Sequence, residues 1–333
     1  ISKMDEQAGS RIGIVLNGSP LFNGDAGNGW SNIRKMLLDR NLLDAIVALP
    51  KNLFYGTDIT TYLWILDNKR PAEKYHKALF IDAAHTKEFT NLLQKNLGKK
   101  RYEISDDGAK EIFDIYKEYQ SYSRDIEYEK TGEQEHLEIA KLLDYDDFLY
   151  TNVAVRRPLR LWFENISVKY DALCESEDFK AEDKKNILRD IVQLEGSNEK
   201  RDDHDFFVWL KAQKVKTTKA QQKLIRDAFG EINEDAPIAY MDPFKDSGEW
   251  VIDTNLNDTE KIPMKQDIEE YFETEVLPFA PDAWMDRSKD KVGCEFPFTR
   301  LFYKYRPLRS SEDILGELSS LDQMLNKELS QLK

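Results

Sequence analysis

The chain has 333 residues, of which 41% are hydrophobic and 33% are charged, and its formal net charge is −14. The apolar fraction excludes a disordered polymer, and the length is enough for about two domains with a sizeable core. The acidic balance argues against a nonspecific nucleic-acid coat, because phosphate binding depends on lysines and arginines that release counterions.

Cysteine, histidine and hydropathy patterns exclude several other classes. Two cysteines are too few for a disulfide framework, and no apolar run approaches the 18 residues of a membrane span, so we expect a cytoplasmic protein with no membrane contact. No metal site is predicted, because none of the histidines has a metal-ligand spacing: His76, His85, His136 and His204. The chain begins with Ile and reaches a strand-like run by residue 12, so we expect that it starts partway through a longer protein.

The first 66 residues predict an α/β arrangement. The run IGIVL (12–16) is typical of a strand covered on both faces, and Ser31 after a glycine-rich loop is a candidate helix N-cap. LDAIVALP (43–50) and ITTYLWIL (59–66) predict two more strands. About nine residues connect them, which is too short for a parallel crossover, so the third strand should run antiparallel to the second.

Later segments continue the mixture of strands and helices. KALFIDA (77–83) predicts a further strand, and residues 105–122 have a helical period. Residues 151–164 predict an extended arm or strand pair, residues 168–229 are dominated by charged helical segments, and residues 250–279 predict a strand followed by a helix.

A lysine-rich strip occupies residues 209–226, WLKAQKVKTTKAQQKLIR, and contains no acidic residue. Two interpretations stay open for it. It is either a solvated helix face or a surface that contacts phosphates, for which Lys211, Lys214 and Lys216 are the candidates.

The last segment, residues 310–333, predicts an amphipathic helix capped by Ser310 or Ser311. Its apolar residues recur at steps of four and three: Ile314, Leu318, Leu321, Leu325, Leu329 and Leu332. This seam must be covered, either by the chain's own domain or by a partner helix, and the polar flanking positions favour a partner.

Four blocks in a consistent order resemble the modification (M) subunit of type I restriction-modification systems. The first two are RIGIVLNGSPLFNGDAGNGWSNIRKMLLD (11–39) and LLDAIVALPKNLFYGTDITTYLWILDNKRP (42–71). The others are RRPLRL (156–161) and VGCEFPFTRLFYKYRPLRSSEDI (292–314). The resemblance implies methyl transfer from S-adenosylmethionine to the adenine amino group of DNA, in a complex with a specificity (S) subunit and a restriction (R) subunit.

Enzymes of this kind extrude the target base from the duplex. The resemblance also implies an Asn/Asp-Pro-Pro-Tyr/Phe turn that holds the amino group, and a glycine loop after the first strand for the cofactor. The 333 residues contain no Pro-Pro pair, and neither FxGxG nor GxGxxG occurs near the start. We therefore expect no catalytic residue in this chain, no bound cofactor and no activity of the chain alone.

The expected fold follows from the predicted elements and from this resemblance. It is α/β, the C-terminal half of a Rossmann-like methyltransferase sheet followed by a mostly helical C-terminal region. The predicted segments are the end of the catalytic domain, a connecting α+β region, a charged helical insertion, a C-terminal α+β region and a docking helix: 1–90, 91–170, 171–235, 236–309 and 310–333. The alternative function is a noncatalytic helical scaffold that bridges a specificity subunit and DNA.

The turn LFYG (53–56) is where the resemblance implies contact with the extruded base. In related amino-methyltransferases an aromatic residue between the last two strands lies against that base, so Phe54 is the first candidate and Tyr55 the second. A core position for Phe54 under the turn is the alternative. Lys51 and Asn52, just before the turn, are candidate contacts to DNA phosphates.

Overall fold

The computed structural model describes residues 1–84, 89–127, 134–175, 182–195, 199–244, 249–303, 308 and 310–331. The chain forms two compact units, and each draws on separate segments of the sequence. The first comprises Ile1–Phe22, Asn41–Leu143 and Phe296–Lys333, and the second Asn23–Arg40 and Asp144–Glu295.

The strands in chain order are β1 (Arg11–Leu16), β2 (Leu43–Leu49), β3 (Thr61–Asp67), β4 (Lys77–Asp82), β5 (Thr90–Leu97), β6 (Lys100–Ile104), β7 (Tyr122–Glu127), β8 (Gln134–Asp144), β9 (Leu149–Arg156), β10 (Leu161–Phe163), β11 (Arg201–Asp202), β12 (Gly230–Ile232), β13 (Asp258–Pro263) and β14 (Trp284–Cys294). The helices are α1 (Ser19–Phe22), α2 (Gly29–Asp39), α3 (Asp106–Glu118), α4 (Ile166–Glu175), α5 (Glu182–Leu194), α6 (Asp203–Ala212), α7 (Lys219–Phe229), α8 (Ile268–Tyr271), α9 (Phe298–Phe302) and α10 (Ser311–Gln331). The mixed composition confirms the predicted α/β class.

The first unit is built on a six-stranded sheet with the order β1-β3-β2-β4-β8-β7. β3 runs antiparallel to β2, as its short connection predicts, and β4 runs parallel to β2. β3 also pairs antiparallel with β1 and so lies between β1 and β2. Consequently β1, β2 and β4 all point the same way, and their carboxyl ends meet at one edge of the sheet.

Both faces of the central strands are covered by apolar side chains of the first unit. All seven residues of β2 are buried. On one face Ile115 of α3 joins the core cluster that includes Val47. On the other face the ring of Phe80 stacks on Phe298, with centroids 5.4 Å apart. Ser105 caps α3 by accepting a hydrogen bond from the Gly108 amide, which explains why this helix begins where the pattern predicts.

The prediction that IGIVL is covered on both faces was wrong. β1 is the end strand of the sheet, and Ile14 and Val15 are 40% and 47% exposed. A short β-branched run indicates a strand, but it does not determine how many layers of the protein cover that strand.

The second unit contains two three-stranded sheets, with the orders β13-β9-β14 and β11-β10-β12. Helices α4 to α7 confirm the predicted helical segments, and their core includes Phe206, whose ring stacks on Phe163 with centroids 4.0 Å apart. Asp203 on α6 accepts two hydrogen bonds of 2.7 Å from Arg226 on α7, and both side chains are buried. This buried ion pair joins α6 to α7.

The N-cap prediction for α2 was also wrong. The helix starts at Gly29, and the Asn28 side chain accepts a hydrogen bond from the Trp30 amide. Ser31 is buried within the first turn, where its hydroxyl accepts a hydrogen bond from the Cys294 amide. Asn28, three residues before Ser31, therefore caps the helix. Ser31 instead connects α2 to β14.

Candidate nucleic-acid interface

The loop of residues 50–60 follows β2 at the carboxyl edge of the first unit's sheet. Ligands of open α/β sheets bind in the crevice beyond the carboxyl ends of the strands. The loop therefore occupies the position where this architecture places binding residues. Phe54 and Tyr55 lie at its centre, between β2 and the antiparallel β3.

The two aromatic residues of this loop are exposed, whereas the neighbouring Leu53 packs against the core. Phe54 is 37% exposed and Tyr55 is 63% exposed. Leu53 is partly buried and packs against the core cluster of the sheet. The side chain that holds the turn to the core is thus Leu53, which leaves an aromatic surface available at the loop.

The β5–β6 hairpin holds this loop in place through backbone hydrogen bonds. The Lys99 amide donates to the Tyr55 carbonyl over 3.0 Å, and the Arg101 amide donates to the Asn52 carbonyl over 2.8 Å. The Asn52 side-chain amide donates in return to the Lys99 carbonyl over 3.1 Å. The hairpin and the loop consequently form one hydrogen-bonded assembly.

Two left-handed residues make this close approach possible. Asn52 has φ 58° and Gly98 has φ 61°. A Cβ atom at Gly98 would lie 2.9 Å from the Tyr55 carbonyl oxygen, so a side chain at this position would press directly on the loop. Asn tolerates the left-handed region better than most residues, which explains its presence at position 52.

The two phosphate candidates of this loop differ in their contacts. Lys51 is exposed, whereas Asn52 is half-buried and its amide group holds Lys99. Lys99 also forms an ion pair of 3.2 Å with Asp58, and this hydrogen bond lowers the pKa of the Asp58 carboxyl. Asn52 therefore has a structural role in the loop, and Lys51 has the more accessible side chain.

A row of residues crosses the sheet beneath the loop. Leu16, Tyr62, Ala48 and Asp82 are successive partners on β1, β3, β2 and β4. Burial raises the pKa of Tyr62, and the nearby carboxylate of Asp82 raises it further. Tyr62 thus stays a neutral phenol at neutral pH.

The lysine-rich strip is part of the second unit. Lys211 lies near the end of α6, and Lys214 and Lys216 lie in the connection to α7. All three are exposed, and the Lys211 ammonium lies 4.7 Å from the centroid of the Phe244 ring. Both earlier interpretations of the strip agree with this exposure.

The predicted C-terminal helix is present as α10, with Ser310 accepting a hydrogen bond from the Asp313 amide at its start. Its seam is exposed where the structure describes the side chains, with values of 43% to 60% for Ile314, Leu318, Leu321 and Leu325. The Leu329 side chain and the whole of Leu332 lie outside the described residues.

Sequence reasoning missed the basic hairpin beside the aromatic loop. Lys95, Lys99, Lys100 and Arg101 cluster at the tip of the β5–β6 hairpin, and the Lys100 ammonium lies 5.7 Å from the Tyr55 ring centroid. The available signal was NLGKKRYEI (96–104), where a glycine followed by basic residues separates two extended runs. The tie to the loop could not be predicted, because about 45 residues separate the partners.

The loop after β1 contains a glycine that lies against an aromatic ring of β3. A Cβ atom at Gly18, in the loop after β1, would lie 3.3 Å from the Tyr62 ring, so that ring fills the space beside the glycine. Within the described ranges, no group of three or more His, Cys, Asp or Glu side chains could hold a metal ion. Exposed aromatic side chains and the exposed Lys51 lie at this edge.

The N-6 DNA methylase family matches residues 2–148 of the chain. A methylase subunit of the type I restriction enzyme MjaVIII from Methanocaldococcus jannaschii is 33% identical over 109 residues, which are 33% of this chain and 18% of that protein. The MjaVII methylase subunit from the same organism is 27% identical over 39% of this chain and 22% of its own length. The chain thus spans about a fifth of the length of these relatives.

Two further similarities concern a bacterial protein and a solved structure. The methylase subunit of the type I restriction enzyme MpnII from Mycoplasma pneumoniae is 32% identical over 31% of this chain and 18% of that protein. A type I restriction-modification methyltransferase subunit from Streptococcus thermophilus is 28% identical, with a TM-score of 0.31. The superposition covers 43% of this chain and 24% of that one.

Proposed function

We propose that this chain is part of a modification subunit acting on DNA, because residues 2–148 match the N-6 DNA methylase family and methylase subunits of type I restriction enzymes are among its relatives. The complete enzyme transfers a methyl group from S-adenosylmethionine to the adenine amino group. This chain supplies one wall of the base pocket, built on the end of a Rossmann-like sheet, and it acts in the cytoplasm.

The observation that carries this proposal is the exposed aromatic loop at the carboxyl edge. Phe54 and Tyr55 have accessible rings, and the hairpin holds the backbone beneath them. A rigid ring lowers the entropic cost of binding a flat base, because little freedom remains to be lost. The Phe54 ring therefore stacks on the extruded adenine, and Tyr55 flanks it.

Stacking on an aromatic side chain has a known magnitude of about 1–3 kcal/mol per base. The base must leave the duplex before its amino group can be methylated, and unstacking costs a few kcal/mol. Phe54 offsets part of this cost by replacing the lost stacking within the pocket. The amine is then held in line with the donor methyl group, which is catalysis by orientation.

S-adenosylmethionine supplies the methyl group in the complete enzyme. The Tyr62 ring lies beside Gly18 in the loop after β1, and we propose no donor contact at this glycine. The contribution of this chain is to the DNA side of the pocket.

Helix α10 is the proposed contact to the specificity subunit, and the restriction subunit completes the assembly. An exposed apolar seam of four residues on one helix face is the type of surface that a partner helix covers. Lys211, Lys214 and Lys216 remain proposed phosphate contacts of the second unit.

Replacement of Phe54 tests the proposal in the assembled methyltransferase. Phe54→Ala should reduce kcat/KM for adenine methylation roughly 5- to 150-fold, which corresponds to about 1–3 kcal/mol of lost stacking. Phe54→Tyr should retain most of the rate, because it preserves the ring. The measurement is incorporation of labelled methyl groups into DNA.

Phe113→Ala is the matched control, because Phe113 is 60% exposed on α3 of the same unit. It should leave the rate unchanged. Equal rates for the Phe54→Ala and Phe113→Ala enzymes would contradict the stacking role and would favour the noncatalytic scaffold.

A further inference from the structure

We propose that the β5–β6 hairpin grips the DNA backbone next to the extruded base, through Lys95, Lys100 and Arg101, and that this grip positions the aromatic loop. The inference rests on the proposed function and adds a DNA-binding element to it. The ligand is the phosphate backbone of duplex DNA.

The charge of the hairpin is opposite to that of the whole chain. Residues 90–104 contain four basic residues and one acidic residue, Glu103, whereas the formal net charge of the protein is −14. At physiological ionic strength charges are screened over about 8–10 Å. A phosphate at the hairpin therefore senses the local basic cluster more strongly than the distant acidic surface.

The three cations named above are not engaged in ion pairs with any described residue, whereas Lys99 is paired with Asp58. Lys95 and Arg101 are exposed, and Lys100 is half-buried beside the Tyr55 ring. Desolvating these groups against a phosphate would not break an existing ion pair. They are thus available in a way that Lys99 is not.

Within the hairpin, Ile104 at the end of β6 packs against the core cluster of the first unit. β5 and β6 form a sheet of their own, and the β5 residues Leu92 and Leu97 are 69% and 44% exposed. An isolated two-stranded hairpin is marginally stable in water. Its hydrogen bonds to the loop are therefore important for its order.

The hydrogen bonds connect phosphate contact to base contact. Lys99 and Arg101 donate their amides to the carbonyls of Tyr55 and Asn52, and the Asn52 side chain donates back to Lys99. A phosphate held by Lys100 and Arg101 consequently fixes the backbone from which Phe54 projects. The hairpin thus fixes the position of the Phe54 ring relative to the DNA strand that it contacts.

The test measures binding of the 333-residue chain to a short fluorescein-labelled duplex by anisotropy, between about 50 and 200 mM salt. The triple variant K95Q/K100Q/R101Q should bind roughly tenfold or more weakly. Its plot of log affinity against log salt should be shallower by about 2–3, since three phosphate contacts are lost.

A matched triple variant, K3Q/K69Q/K117Q, removes the same charge. Lys69 follows the end of β3 and Lys117 lies in the last turn of α3, whose cap residue Tyr119 contacts the start of β4, so both lie at the opposite edge of the sheet. This variant should keep the parental slope. The charge-conserving triple K95R/K100R/R101K should bind like the parent, which separates lost charge from misfolding.

Equal slopes for the two glutamine triples would overturn the inference, as would a parental chain that does not bind the duplex at low salt. The first result would also follow if the hairpin met an acidic protein surface instead of DNA. Either failure would leave the Phe54 methylation assay unaffected, so the proposed function and the hairpin grip are tested separately.

Discussion

Asp282 binds two arginines of the RRPLRL block (156–161) within the second unit. Its carboxylate accepts hydrogen bonds from Arg157 over 2.9 Å and from Arg160 over 3.2 Å. Arg160 also donates to the Ala236 carbonyl over 2.8 Å. This block therefore has a structural role, in which two arginines are joined through one acidic side chain.

The same contacts make the stability of the second unit dependent on pH. Burial alone would raise the pKa of Asp282, but the hydrogen bonds from Arg157 and Arg160 outweigh it and hold the pKa below its ordinary value of 3.8. A carboxyl whose pKa is lower in the folded than in the unfolded state stabilises the folded protein at pH values above its unfolded-state pKa. This contribution is lost as the pH falls through the folded value.

Asp282→Asn should therefore reduce the free energy of unfolding by about 1–2 kcal/mol at neutral pH. The difference from the parent should shrink below pH about 4, because the parental carboxylate then becomes protonated as well. Urea denaturation at both pH values measures this. Glu269→Gln, which breaks an exposed pair with Arg287, is the control and should change stability by less than about 1 kcal/mol. A constant difference across the pH range would contradict the argument.

At the scale of elements, α10 presents an apolar seam outside any core that the structure describes. Leu321 and Leu325 are 60% and 59% exposed, and both lie on the same face as Leu318. An aspartate at such positions exchanges one solvated side chain for another. The substitution should therefore cost little free energy of folding. It should nevertheless disrupt the contact with a partner helix that buries this face of α10.

The double variant L321D/L325D should abolish association with the specificity subunit and leave the melting temperature nearly unchanged. Co-purification measures the first effect and thermal denaturation the second. S319D/Q323D adds the same charge to the opposite face of α10 and should still associate. Unfolding of L321D/L325D would show instead that the seam belongs to the chain's own core.

At the scale of the whole molecule, we propose that residues outside this chain complete the site of methyl transfer. No Pro-Pro pair occurs in its 333 residues, and the Tyr62 ring lies beside Gly18 in the loop after β1. The first unit offers a stacking ring and basic side chains. We propose that these groups contact DNA and that the reacting amine is held elsewhere in the complete enzyme.

The chain alone should therefore transfer no labelled methyl group from S-adenosylmethionine to adenine-containing DNA. The assembled methyltransferase under the same conditions is the positive control. Measurable turnover by the isolated chain would show that its loops hold both the amine and the donor. No helix among the described residues has the length and apolarity to cross a membrane.

The sequence by itself determined the local elements and their directions. The apolar residues 45–49 of β2, the short connection before β3 and the helical period of residues 105–122 are local features, and each predicted its element correctly. The aromatic loop, in contrast, was identified through the resemblance to related methyltransferases. Local patterns succeed here because hydrogen bonding and burial repeat within a few residues.

Tertiary structure alone decided which of these elements meet. β3 enters between β1 and β2, Ser31 bonds to Cys294, and Lys99 bonds to Tyr55, and all of these contacts join residues far apart in sequence. Their partners are selected by packing and by the need to satisfy backbone amides, which leave no periodic pattern in the sequence. For this reason the basic hairpin beside the aromatic loop became visible only in the folded structure.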